Sequence, residues 1–238
     1  MSRRWKLLWG ALSLAVLAGC PLPPRLPVPP AAVPPPAAAP HLGTPYDIAA
    51  ADSLLTILVY RAGPLASVGH NHVIASHDLV GTIYVPAEIM RSTFEMHVPV
   101  ATLTVDETAL RAQQASADFP PDVPESAKEG TRHNMLGESL LDAANNPEIV
   151  LRAAPVEAAA SAGTVMTRVQ STVRGQVRTF TVLVQYELRD HAVTVSGEIP
   201  LRQSDLGLTP FSALLGALQV QDEMRVSFHI VARAAAAR

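Results

Sequence analysis

Residues 173–201 read VRGQVRTFTVLVQYELRDHAVTVSGEIPL. Phe180, Val182, Val184, Tyr186 and Leu188 alternate with Thr181, Leu183, Gln185, Glu187 and Arg189. Successive side chains of an extended chain point to opposite faces, so this alternation marks a half-buried β-strand. Arg189-Asp190-His191 supplies a polar turn, after which Val193, Val195, Gly197 and Ile199 alternate with Thr194, Ser196 and Glu198. A link this short joins strands only as an antiparallel hairpin.

The same period recurs outward from the hairpin. Before it, Val165, Thr167, Val169, Ser171 and Val173 form one set; after it, Met224, Val226, Phe228 and Ile230 form another. In 92–100, Phe94, Met96, Val98 and Val100 oppose Thr93, Glu95, His97 and Pro99. Pro99 predicts an edge or a bulge, and Leu103 and Val105 continue in the opposite parity, as after a one-residue bulge. Tyr46 to Ile48 and Leu54 to Tyr60 read as a strand pair or one long bent strand, followed by extended segments at 65–75, 79–85 and 149–153. Between Asp106 and Asn146 the period becomes helical. Asp106 is placed to cap a helix reaching about Ala117, a Pro-rich bend spans 119–124, and 131–144 reads as a second helix stopped by Asn145-Asn146-Pro147. Eight to ten strands with a short helical insertion predict an all-β antiparallel barrel or sandwich. The inward rows then either fill a solid core or line room for one small ligand. Alternation leaves that choice open, and also which parity faces inward.

The ends of the chain read differently. Arg3, Arg4 and Lys6 precede an apolar run from Leu7 to Ala18, too short for a mature spanning helix, as in an export signal. The run ends at Leu17-Ala18-Gly19-Cys20, which resembles the bacterial lipobox and implies lipidation of Cys20 in place of an ordinary signal cleavage. Residues 21–45 hold eleven of the 21 prolines and form a semi-rigid spacer. The folded domain is then 46–233. Cys20 is the sole cysteine, which excludes disulfides, thiolate zinc sites and a cysteine nucleophile from that domain. Without Arg3, Arg4 and Lys6 the balance is 15 basic against 21 acidic residues, or −6, so the domain carries no electrostatic footprint for nucleic acid.

Few motifs carry chemistry. His70 and His72 would share a strand face and could offer two imidazoles to a metal, but spacing fixes no third ligand; hydrogen-bonded histidines touching a ligand head group are the other reading. There is no G-x-S-x-G, H-E-x-x-H or S-x-x-K motif for hydrolysis. Asp106, Glu107, Asp118 and Asp122 read as a solvated acidic face, and the apolar residues from Leu214 to Leu218 as a possible partner contact.

Four segments, in order, resemble the YceI family. Ser171-Thr172-Val173-Arg174-Gly175-Gln176-Val177-Arg178 is similar to its T-hydrophobic-R-G-x-x-R run, and 132–149 resembles its central helix and following strand. Ile199 to Leu208 is similar to its R-x-S-D-F-G segment with Leu206 in place of Phe, and Val68 to Ile74 resembles an early G-H-x-H strand. The resemblance implies a lipocalin-like extended antiparallel β-barrel of exported bacterial proteins, holding a polyisoprenoid lipid such as a quinone without transforming it and needing no other cofactor. The lumen residues expected on this basis are Phe94, Met96, Val98, Phe180, Val182, Val184, Tyr186, Val193, Val195, Met224, Val226 and Phe228, with His70 and His72 at the head group. The expected location is the periplasmic face of the envelope. Pro21 after Cys20, where Asp would signal inner-membrane retention, directs the lipoprotein to the outer membrane.

Overall fold

The computed structural model describes residues 42–153, 157–158, 161–189 and 191–234. The expected export signal, Cys20 and the expected spacer up to residue 41 lie outside them. Eight strands close an antiparallel barrel: β1 (Thr44–Ile48), β4 (Val80–Val85), β5 (Thr93–Pro99), β7 (Glu148–Ala153), β9 (Thr164–Val173), β10 (Gln176–Arg189), β11 (Ala192–Arg202) and β13 (Leu218–Ala234). Closure comes from β1 pairing with β13, Tyr46 opposite Ala234 and Ile48 opposite Ala232. Extra strands β2 (Leu54–Ala62), β3 (His72–Ser76) and β6 (Thr104–Val105) flare from β13, while β8 (Glu157–Ala158) and β12 (Ser212–Ala213) add short pairings to β9 and β13.

The hairpin at the centre of the sequence is observed, with Arg189 opposite Ala192. The β9–β10 link is equally short: Val173 faces Gln176 across Arg174 and Gly175, at φ 49° and 69°. Two consecutive left-handed residues make the turn that matches strand twist, which is why glycine follows the arginine.

Of the two readings for 46–60, one interrupted strand is observed. β1 and β2 lie in succession along the same edge of β13, at Ala232–Ala234 and then Gln219–His229. The interruption at Ala50–Asp52 is a 3-10 turn, held by Ser53, whose Oγ donates to the Ala49 carbonyl at 2.9 Å and accepts from Val231 N–H at 3.0 Å.

Several local expectations are corrected. β5 is an interior strand between β4 and β7, with Pro99 as its last residue, so no edge is needed to tolerate the missing N–H. A 3-10 turn at Val100–Thr102, not a bulge, reverses the parity before Leu103. Residues 65–71 form a 3-10 turn and loop, and β3 starts only at His72, so His70 and His72 do not share a strand. Helix α1 spans Thr108–Gln113 with Glu107 at its N-cap, and Asp106 is not a cap. Helix α2 runs Glu125–Leu136, six residues before the expected start, and 137–146 form turns. Pro124 explains the early start: its fixed φ suits the residue leading a helix into its first turn.

The main core cluster joins Leu55, Ile74, Met96, Val98, Leu201 and Ile230 of the sheet to Met135 of α2 and Leu141 beyond it. A smaller one packs Leu58, Val73 and Ala75 on the outer side of β2–β3 against Leu110 and Phe119. The segment 106–141 therefore wraps the flared strands, with its second half against the lumen.

Candidate ligand-binding lumen

The inward rows do not fill the barrel. A cavity of about 470 Å³ lies at the flared end, walled by Leu55, Ile57, Val173, Met224 and Leu208 and covered by Ala127, Gly130, Thr131, Asn134 and Met135 of α2. A second, of about 170 Å³, lies between Ile83, Phe94, Val165, Val184, Tyr186 and Ile230. Leu55, Leu151, Phe180, Leu201 and Val226 line both, so the two cavities adjoin with a waist at these residues.

The structure places all twelve expected wall residues there. Val98 and Met224 line the larger cavity; Phe94, Met96, Val182, Val184, Tyr186, Val193, Val195 and Phe228 line the smaller; Phe180 and Val226 line both. The inward parity of β10 is thus that of Phe180 and Val182. Leu206, where the family resemblance expects Phe, is buried in the wall of the larger cavity beside Leu208.

The polar groups gather at one end. His70 and His72 both line the larger cavity, with ring centroids 6.1 Å apart. His72 is buried, because β3 carries it in phase with Ile74 into the wall. Its Nδ1 lies 2.6 Å from Asp106 Oδ2, and its Nε2 lies 3.0 Å from Thr131 Oγ1 of α2. Asp106 is only 1% exposed and also accepts from Val73 N–H at 2.9 Å and from Arg111 Nη1. The expected solvated acidic face therefore loses Asp106, which is an internal counter-ion. Its left-handed backbone, φ 55°, is one that Asp tolerates.

Arg111 is likewise 1% exposed; it donates to the carbonyls of Asn71 at 2.8 Å and Pro120 at 2.9 Å and stacks over Phe119. Burial alone would raise the Asp106 pKa, but hydrogen bonds from His72, Val73 and Arg111 outweigh it and hold the carboxyl below its usual range. The His70 pKa is lowered, first by burial and then by the neighbouring His72, Arg111 and Arg61. Among the described residues no cluster of three or more His, Cys, Asp or Glu side chains is placed to hold a metal ion.

Asp106, Arg111 and Thr131 were not among the candidate residues. One signal pointed to them: a histidine in phase with a lumen-facing isoleucine needs a buried partner, although spacing does not say where in the chain it lies. The order carboxylate, imidazole, hydroxyl is also that of a nucleophile relay. Acyl transfer further needs donors for an oxyanion, and Thr131 lies inside α2, where backbone amides are bonded one turn back.

An eight-stranded antiparallel barrel enclosing an apolar lumen, with one polar end under a helical cover, defines a lipocalin-like cavity protein. The chain belongs to the YceI family: the YceI-like domain matches residues 66–232. Among solved structures it is similar to Burkholderia cenocepacia BcnA, at 17% identity and a TM-score of 0.57, over 78% of this chain and 99% of that one. It is also similar to a polyisoprenoid binding domain from Saccharophagus degradans implicated in plant cell wall breakdown, at 12% identity and a TM-score of 0.52, over 80% and 98%. No curated protein matches the sequence.

Proposed function

We propose that this domain binds and carries a long apolar isoprenoid-type lipid, such as a quinone, without transforming it. The carrying observation is the pair of adjoining apolar cavities inside the barrel, the larger covered by α2. The family and the similarity to a polyisoprenoid binding domain support the ligand class. Burial contributes about 0.8 kcal/mol per methylene, so roughly fifteen carbons supply about 12 kcal/mol gross. Against an association cost of at least about 4 kcal/mol, this leaves an affinity on the order of micromolar. Shorter tails fall short of useful binding.

In this reading Cys20 is lipidated, the proline-rich residues before β1 are the tether, and the barrel works at the periplasmic face of the outer membrane. The lipobox and proline run support the anchor, and the segment 106–146 serves as the gate. The test is organic extraction and mass spectrometry of the exported protein purified without detergent. A stoichiometric polyisoprenoid is expected; a lipid-free protein that also fails to take up added quinone would refute the carrier reading.

A further inference from the structure

The hydrogen bonds at the polar end of the lumen have a direction. Asp106, its carboxyl held below the usual range, is an acceptor only, so the contact at 2.6 Å requires the proton on His72 Nδ1. In the neutral imidazole the other nitrogen, Nε2, is then an acceptor. Its partner at 3.0 Å is Thr131 Oγ1, which has a single proton and gives it to Nε2. What Thr131 turns to the cavity is therefore lone pairs. Arg61 also lines this cavity, and its Nη1 donates to the Gly69 carbonyl at 2.6 Å.

We propose that the Asp106–His72–Thr131 relay makes this end of the lumen select a lipid whose head group donates a hydrogen bond: an isoprenoid alcohol, phenol or quinol, in preference to the matching aldehyde, ketone or quinone. The inference rests on the reading that the lumen holds an isoprenoid-type lipid. A donor head completes the chain of hydrogen bonds, whereas a carbonyl head sets two acceptors against each other and leaves both unpaired when desolvated.

The probes are farnesol and farnesal, which share a tail, so that tail burial cancels. Affinities are measured at pH 8 and corrected for the partition of each probe between water and octanol. Farnesol is expected to bind about threefold to tenfold more tightly, the worth of one net neutral hydrogen bond. Equal affinities, or tighter farnesal, overturn the selectivity and leave the carrier reading standing; binding of neither probe overturns both.

Asp106→Asn supplies a reversal. Val73 N–H and Arg111 hold the amide oxygen at the Oδ1 position, so the amide nitrogen donates to His72 Nδ1. Every bond in the relay then turns round, Thr131 donates into the cavity, and farnesal becomes the preferred probe; an unchanged preference in folded Asp106→Asn overturns the relay. Should that variant not fold, 15N resonances of the wild-type His72 ring decide. A protonated Nδ1 with a bare Nε2 is expected, and the opposite tautomer overturns the proposal.

Discussion

Replacing Asp106 with Ala removes the acceptor of three buried hydrogen bonds and strands Arg111 without its counter-charge. Arg111 keeps the carbonyls of Asn71 and Pro120, but its Nη2 has no hydrogen-bond partner among the described residues even in the intact protein. Breaking a buried pair from one side costs about 3–5 kcal/mol, from a total that for a domain is about 5–15 kcal/mol. With a urea slope of about 2 kcal/mol per M, the midpoint falls by about 2 M. Far-UV circular dichroism is the signal of choice, since both tryptophans, Trp5 and Trp9, precede Cys20. Exchanging both partners for apolar residues, Asp106→Leu with Arg111→Met, leaves no charge to desolvate and should recover at least half of the loss. A fall of less than about 0.5 M in Asp106→Ala, on the same slope, would refute the reasoning, as would a double variant no better than the single one.

The depressed pKa of Asp106 sets a window: its stabilisation is present above the unfolded carboxyl value of about 4 and is lost as pH falls through the lower folded value, so acid unfolding of Asp106→Ala should be shallower below pH ~4. On the outer face of β5 and β7, Glu95 takes two bonds from Arg152 and one from His97, and its pKa is lowered to about 2, first by the Arg152 bonds. Burial works to lower the His97 pKa, but bonds to Glu148 and Glu95 raise it overall; its stabilisation is full below the unfolded value and is lost as pH rises through the folded one, and Glu148→Gln should move the His97 titration down in an NMR pH series. Val226→Trp fills the waist and should abolish binding of tails longer than the larger cavity holds while leaving farnesol within about threefold, since the change removes no polar contact; unchanged long-tail affinity would show that the two cavities are not filled by one ligand. Leu215, at φ 55° and fully exposed, gains from Leu215→Gly: relief of about 1–2 kcal/mol of left-handed strain exceeds the added chain entropy of about 0.5–1 kcal/mol, so a calorimetric melting point a few degrees higher is expected.

The barrel was legible because its strands are long and their period is strict. From β9 to β11 the sets read from sequence are those that face the lumen, apart from the exposed Leu188. Parity was not legible, since the outward face of β10 also carries Val177 and Leu183, both exposed, so both faces look apolar in places. Whether a row of valines fills a barrel or lines a cavity depends on its diameter, which the pattern does not encode. The helices were misjudged because the signals near 125–144 are weak, and the apolar run at 135–141 belongs partly to turns. The site was half visible: His70 and His72 were singled out, but Asp106 and Thr131 lie 34 and 59 residues from His72. Chain topology brings them together, and no local spacing announces it.

β13 pairs with β11 along one edge and with β1, β2 and β12 elsewhere, so a single strand late in the chain receives the ends of four others. In a polypeptide made from its N-terminus, β1 and β2 wait with bare edges until residues 218–234 appear. Until then the half-built sheet is an open trough, its amide groups unpaired and its valine rows wet. Closure from the last strand makes assembly slow and cooperative, since the pairings that end it span most of the domain. It also gives the nascent trough a long interval in which a greasy molecule could be enclosed as the wall shuts, a route to loading that needs no door in the finished barrel.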